Sequence, residues 1–129
     1  MSRSILIVDD DRDMVRTLCD IFRLRGWETG QAYSGQDAID AQKQRPFDRV
    51  LMDVKMPGVD GVSAHKIMNG LFPELPVILM TAHRVGDVEP TGARVLAKPL
   101  DLPALFQLLD QGAAATPEFR SPEPPPRKT

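Results

Sequence analysis

Apolar residues recur along the chain in two alternating rhythms. The first is a short block, Ile5-Leu6-Ile7-Val8; the second spaces Met14, Val15, Leu18, Ile21 and Phe22 at helical intervals until Gly26 stops them. That pairing predicts one strand followed by one helix. A weaker strand around Trp27 to Tyr33 precedes Ser34-Gly35-Gln36-Asp37, an N-cap with an acidic third position, and the helix it opens must finish before Pro46. Arg49 to Met52 and then Ala64, Ile67, Met68 and Leu71 form a third strand-helix pair, followed by a strand at Val77-Ile78-Leu79-Met80. Arg94-Val95-Leu96-Ala97 reads as a fifth strand. Asp101 can cap a last helix carrying Leu102, Leu105, Phe106 and Leu109, with Pro103 in its first turn and Gly112 at its end.

Such alternation predicts an α/β fold, a doubly wound parallel sheet with helices on both faces. The unbroken apolar blocks agree, because strands covered on both sides need no polar face. One crossover is abnormal. Between Thr81 and Lys98, Gly86, Pro90 and Gly92 leave no stretch long enough for three helical turns, so the fourth helix is expected to be short or irregular, with one turn near Arg84 to Val88.

Composition adds bounds. The chain has 129 residues, 42% of them hydrophobic, and a formal charge of −2, which suits one domain with a real core. That domain is expected over residues 1–115. Residues 116–129 hold five prolines and no apolar periodicity, so they read as a linker or disordered tail. No apolar run approaches the roughly 18 residues of a membrane span. Met1-Ser2-Arg3-Ser4 leads straight into a strand without the apolar region of a secretion signal, which makes a cytoplasmic location the expectation. Cys19 is the only cysteine, so an intramolecular disulfide and a cysteine-cluster metal site are excluded, and filler on a helix flank is its expected role. His65 is expected at the surface of the third helix. Arg120, Arg127 and Lys128 are too few to mark a nucleic-acid surface.

Charge stands where it is awkward, at strand ends. The first strand runs into Asp9-Asp10-Asp11, the third ends at Asp53, the fourth at Thr81 and the fifth at Lys98-Pro99. In open parallel sheets ligands bind outside the carboxyl ends of the strands, so these residues would meet on one edge. Carboxylates gathered there repel, by roughly 3 kcal/mol for unit charges about 5 Å apart at an effective dielectric near 20. A cation is called for. Magnesium is the best candidate, a hard ion that accepts carboxylate and phosphate oxygens together; a zinc-like pattern of cysteine and histidine is lacking. Beside a lysine and a hydroxyl, such a centre suits a phosphoryl group.

Four motifs in order, Ile5 to Asp11, Leu51 to Gly61, Met80-Thr81-Ala82 and Lys98-Pro99, resemble the response-regulator receiver domain of two-component signalling. The resemblance covers residues 4 to about 112. It implies a five-stranded sheet of order 2-1-3-4-5, an order for which a receiver is itself a standard example. It implies that Asp53 is the phospho-acceptor, taking a phosphoryl group from a sensor histidine kinase or phosphotransfer protein. Asp9, Asp10, Asp53 and the backbone carbonyl of Lys55 would hold Mg2+, while Thr81 and Lys98 would bind the phosphoryl group. Lys98-Pro99 resembles the family's cis peptide, which would aim the lysine inward. The domain would catalyse only its own phosphorylation and dephosphorylation; the tail fits either a linker to an output domain or the end of a single-domain regulator, and a homodimer stays open.

Two departures from the family pattern bear on how phosphorylation would be transmitted. Receivers usually carry an aromatic residue three positions before the lysine, where this chain has Val95, and the segment Ala82 to Ala93 is too broken for the usual helix. Two other readings stand beside the receiver. Asp9-Asp10-Asp11 also resembles the start of haloacid-dehalogenase-type phosphatases, with Asp9 as nucleophile, although Asp13 stands where those enzymes carry threonine. A receiver-shaped interaction module that is never phosphorylated is the third.

Overall fold

A computed structural model describes residues 3–110. Each apolar block becomes a strand: β1 Arg3–Val8, β2 Trp27–Ala32, β3 Arg49–Asp53, β4 Val77–Thr81 and β5 Arg94–Ala97. The periodic segments become helices: α1 Arg12–Leu24, α2 Gly35–Gln44, α3 Gly61–Leu71 and α4 Leu102–Asp110. All strand pairs are parallel, in the order β2-β1-β3-β4-β5. Expected and observed architecture coincide. The expected domain end at residue 115, Gly112 as a helix stop and the tail at 116–129 lie outside the described residues.

Alternation along the strands divides the core in two. Leu6, Val8, Val50, Met52 and Leu79 turn toward Ala38 and Ile39 of α2 and Ala64 and Met68 of α3. Ile5, Ile7, Leu51, Ile78 and Met80 turn the other way, against Val15, Leu18 and Phe22 of α1 and Leu105, Phe106 and Leu109 of α4. On that face Phe22 meets Trp27 edge-on at 5.6 Å and Phe106 at 4.7 Å. Cys19 is fully buried, with its thiol 3.8 Å from the Gly30 carbonyl. Burial raises its pKa above the usual thiol value, which keeps it protonated and makes it core filler.

Helix starts are set by side chains accepting backbone N–H groups. Asp11 accepts from Met14, Ser34 from Asp37, Asp60 from Ser63 and Asp101 from Ala104. The β4–β5 connection holds a single 3-10 turn, Val85–Asp87, as Gly86, Pro90 and Gly92 predict.

In α3 the expected apolar stripe is partly wrong. Gly61, Val62, Ala64, His65 and Met68 are buried, whereas Ile67 and Leu71 are 45% and 49% exposed. His65, expected at the surface, is 6% exposed. Ile67 lies about 100° around the helix from Met68, and Leu71 ends the helix, so hydropathy misplaced the stripe. Burial lowers the His65 pKa and favours the neutral imidazole.

Candidate functional site

Parallel pairing stacks the strand ends, and backbone bonds just past them hold the loops in place. The Asp9 N–H donates to the Ala32 carbonyl at 3.2 Å, Val54 to Met80 at 2.8 Å and Lys98 to Thr81 at 2.7 Å. Ladder contacts therefore continue one residue beyond the strands, and the side chains at these positions start from fixed backbones. Asp9, Asp53 and Thr81 are buried, while Asp10 is exposed.

The sheet edge gathers the residues that the sequence singled out. One oxygen each of Asp9, Asp10 and Asp53 lies within 4.8 Å of the others. The Lys98 ammonium sits between two of these acids, 2.8 Å from Asp9 Oδ2 and 2.9 Å from Asp53 Oδ1. Its single positive charge is shared between the two carboxylates. The other Asp9 oxygen accepts the Asp11 N–H at 3.0 Å, so Asp11 serves the site through its backbone and caps α1 with its side chain. Thr81 Oγ1 accepts the His83 N–H at 3.0 Å, which holds the oxygen and leaves the hydroxyl proton to donate elsewhere. The Lys98–Pro99 peptide is cis.

Electrostatics follow from burial. Desolvation raises the Asp53 pKa, the Lys98 hydrogen bond opposes it, and the charges of Asp9 and Asp10 push it further up. Desolvation alone would lower the Lys98 pKa, but its bonds to Asp9 and Asp53 and their charges outweigh it and hold the ammonium protonated. The donor set around Asp53 is all oxygen and carries excess negative charge, which suits a hard divalent cation.

Two features of the site were not read from the sequence. Lys98, expected to bind the phosphoryl group, also bridges Asp53 to Asp9. Gly61, the last residue of the Leu51 to Gly61 motif, is the second. A Cβ at Gly61 would collide with the Asp53 carbonyl oxygen and the Val54 backbone, and its N–H donates to the Val54 carbonyl at 2.8 Å. Glycine lets α3 start against the end of β3. Gly61→Ala should therefore push the Asp53 loop aside and cost about 1–3 kcal/mol in urea unfolding. Beside the acids, Lys55, Thr81, His83 and Asp60 border an open cavity of about 390 Å³ under the 3-10 turn. His83 and Lys55 both line it, and both are exposed.

A family model for the response regulator receiver domain matches residues 5–110. The chain belongs to the receiver family. Receiver domains are the phosphoryl-accepting domains of two-component signalling. The receiver is 38% identical over 108 residues to sporulation initiation phosphotransferase F of Bacillus subtilis, with 79% of this chain and 86% of that protein covered. It is 35% identical over 119 residues to the transcriptional regulatory protein ZraR of Salmonella typhimurium, with 88% of this chain covered. The receiver spans only 27% of that regulator's length. Among solved structures, the receiver domain of the hybrid histidine kinase CckA is 30% identical with a TM-score of 0.69, covering 84% of this chain and 96% of that one. A CheY from Borrelia burgdorferi, solved with CheX, BeF3 and Mg2+, is 27% identical with a TM-score of 0.77, covering 84% and 88%. Among the described residues, no helix of this receiver is long and apolar enough to cross a membrane.

Proposed function

We propose that Asp53 accepts a phosphoryl group from a phosphohistidine on a partner histidine kinase or phosphotransfer protein and carries it as an acyl phosphate, with magnesium as cofactor. One arrangement supports the reading: an ammonium bridging Asp9 and Asp53, beside Thr81, within a cluster of three carboxylates. An Asp53 oxygen attacks phosphorus in line. A P–O bond forms as the P–N bond breaks, and the departing imidazole keeps the electron pair. Lys98 then follows the negative charge from the Asp53 carboxylate to a phosphoryl oxygen, and the Thr81 hydroxyl donates to another. Asp9, Asp10, Asp53 and the Lys55 carbonyl are the groups that would hold magnesium. The bound ion would neutralise charge on the transferring group. Water later cleaves the acyl phosphate and regenerates Asp53, so the domain acts only on itself.

Acetyl phosphate with magnesium supplies the test. Intact mass should rise by one phosphoryl group per chain, and chelation should prevent the gain; an unchanged mass overturns the reading. This reading extends to an output domain beyond the tail, to a receiver without direct nucleic-acid contact, and to a cytoplasmic location.

Signal output in this reading runs through the β4–β5 connection. Val95 stands in the place of the usual aromatic residue, and the connection Ala82 to Asp87 is exposed apart from its strand anchors. Phosphorylation, by drawing Thr81 inward, orders residues 82–91. Hydrogen exchange of the Val85 to Val88 amides should slow when beryllofluoride and magnesium are added. Unchanged protection would sink this route.

A further inference from the structure

The opposite edge of the sheet carries a second cavity, of about 170 Å³, walled by the starts of β3, β4 and β5 together with α3 and α4. At about 3.3 Å per residue, Arg49 at the start of β3 lies roughly 13 Å from Asp53 at its end. The cavity is thus separate from the phosphoryl site. Its polar wall is Arg49, Arg94, His65, Asn69 and Thr91, and none of its lining residues is acidic.

Arg49 is 9% exposed, and among the described residues the nearby acid Asp48 acts on its guanidinium through charge without a direct ion pair. Asp48 instead accepts the Ser4 N–H at 3.0 Å. His65 is 6% exposed, and its Nδ1 has no partner. A guanidinium partly withdrawn from water with no acid in ion-pair contact is costly, as is a buried imidazole nitrogen without a partner, because buried polar groups are normally satisfied. The other wall is apolar, with Leu75, Ile78 and Leu109.

We infer that this cavity binds a small organic anion, a carboxylate or phosphate on a compact apolar body. The head group would take the planar fork of Arg49, which matches such oxygens two at a time. The body would lie on Ile78 and Leu109. Size agrees, since a cavity of about 150 Å³ accommodates a benzene ring. The inference does not depend on the receiver reading, because it uses none of the residues at the other edge.

Benzoate, phenyl phosphate and neutral benzamide are suitable probes, titrated into the isotopically labelled full chain while amide and imidazole signals are followed. Either anion should shift Thr91, Gly92 and His65 saturably, with affinity at least about tenfold above benzamide. Arg49→Gln should weaken the anions by about tenfold or more and leave benzamide unaffected. Asn69→Ala changes an exposed position, so it keeps the fold, and it should weaken the anions while acetyl phosphate still modifies the chain. Equal affinity for benzoate and benzamide, absence of saturable shifts, or anion binding that survives both substitutions would overturn the inference.

Discussion

Asp53→Asn leaves the mass of the chain unchanged after incubation with acetyl phosphate and magnesium, where the wild type gains a phosphoryl group. The expected loss is complete, because an amide oxygen is a poor nucleophile and, among the described residues, no other carboxylate has the same setting. Asp9 spends one oxygen on the Asp11 N–H and the other on Lys98, and Asp10 is exposed to water. Asp53 alone combines burial, the bridging ammonium and a place beside Thr81. If Asp9→Asn abolished the modification through loss of the nucleophile while Asp53→Asn retained it, the phosphatase-like reading would replace the receiver.

The same substitution has a second consequence, on stability. The folded state holds the Asp53 proton more tightly than the unfolded chain, because its pKa is raised above the ordinary 3.8 by burial and by Asp9 and Asp10. The stability linked to this proton is present below about pH 3.8 and is lost as pH rises through the raised folded value. Asp53→Asn lacks that loss. In chelator it should unfold at a higher temperature than wild type at neutral pH, and magnesium should stabilise it less than wild type. A variant that is less stable than wild type in chelator would show that the Lys98 contact outweighs burial at Asp53.

Most of the architecture was legible because its signals are local. Ile5 to Val8 and Val77 to Met80 are too short and apolar for surface helices, and Gly86, Pro90 and Gly92 break the fourth crossover within a few residues of one another. The site was legible through topology, since parallel strands bring their last residues to one edge whatever lies between them. What escaped were features set by contacts distant in sequence. Nothing in the helical spacing around His65 shows that α3 turns an imidazole inward while Ile67 and Leu71 face water. The need for glycine at position 61 arises only when the start of α3 meets the Asp53 carbonyl. Arg49 reads as an ordinary strand-start charge until β4, β5 and α4 close over it.

Lys98→Met separates the two tasks of the bridging ammonium. Between Asp9 and Asp53 it offsets the repulsion of the acid cluster, and its side chain is only 19% exposed. Removing one partner of a buried pair costs about 3 kcal/mol where the site keeps some water contact. Phosphorylation by acetyl phosphate should slow roughly 10²- to 10³-fold, the usual effect of deleting one donor to developing negative charge. The two effects part with pH and metal. Asp9 and Asp53 hold the Lys98 pKa above its ordinary 10.5, so its stabilising contribution is complete below about that pH and is lost as pH rises through the folded value. The stability gap between wild type and Lys98→Met should therefore be widest near neutrality and close at higher pH. Magnesium should narrow the gap near neutrality, since it would neutralise the same carboxylates, yet leave most of the rate defect in place, because the phosphoryl oxygen still lacks its ammonium. Full recovery of rate in magnesium would assign Lys98 to charge balance alone.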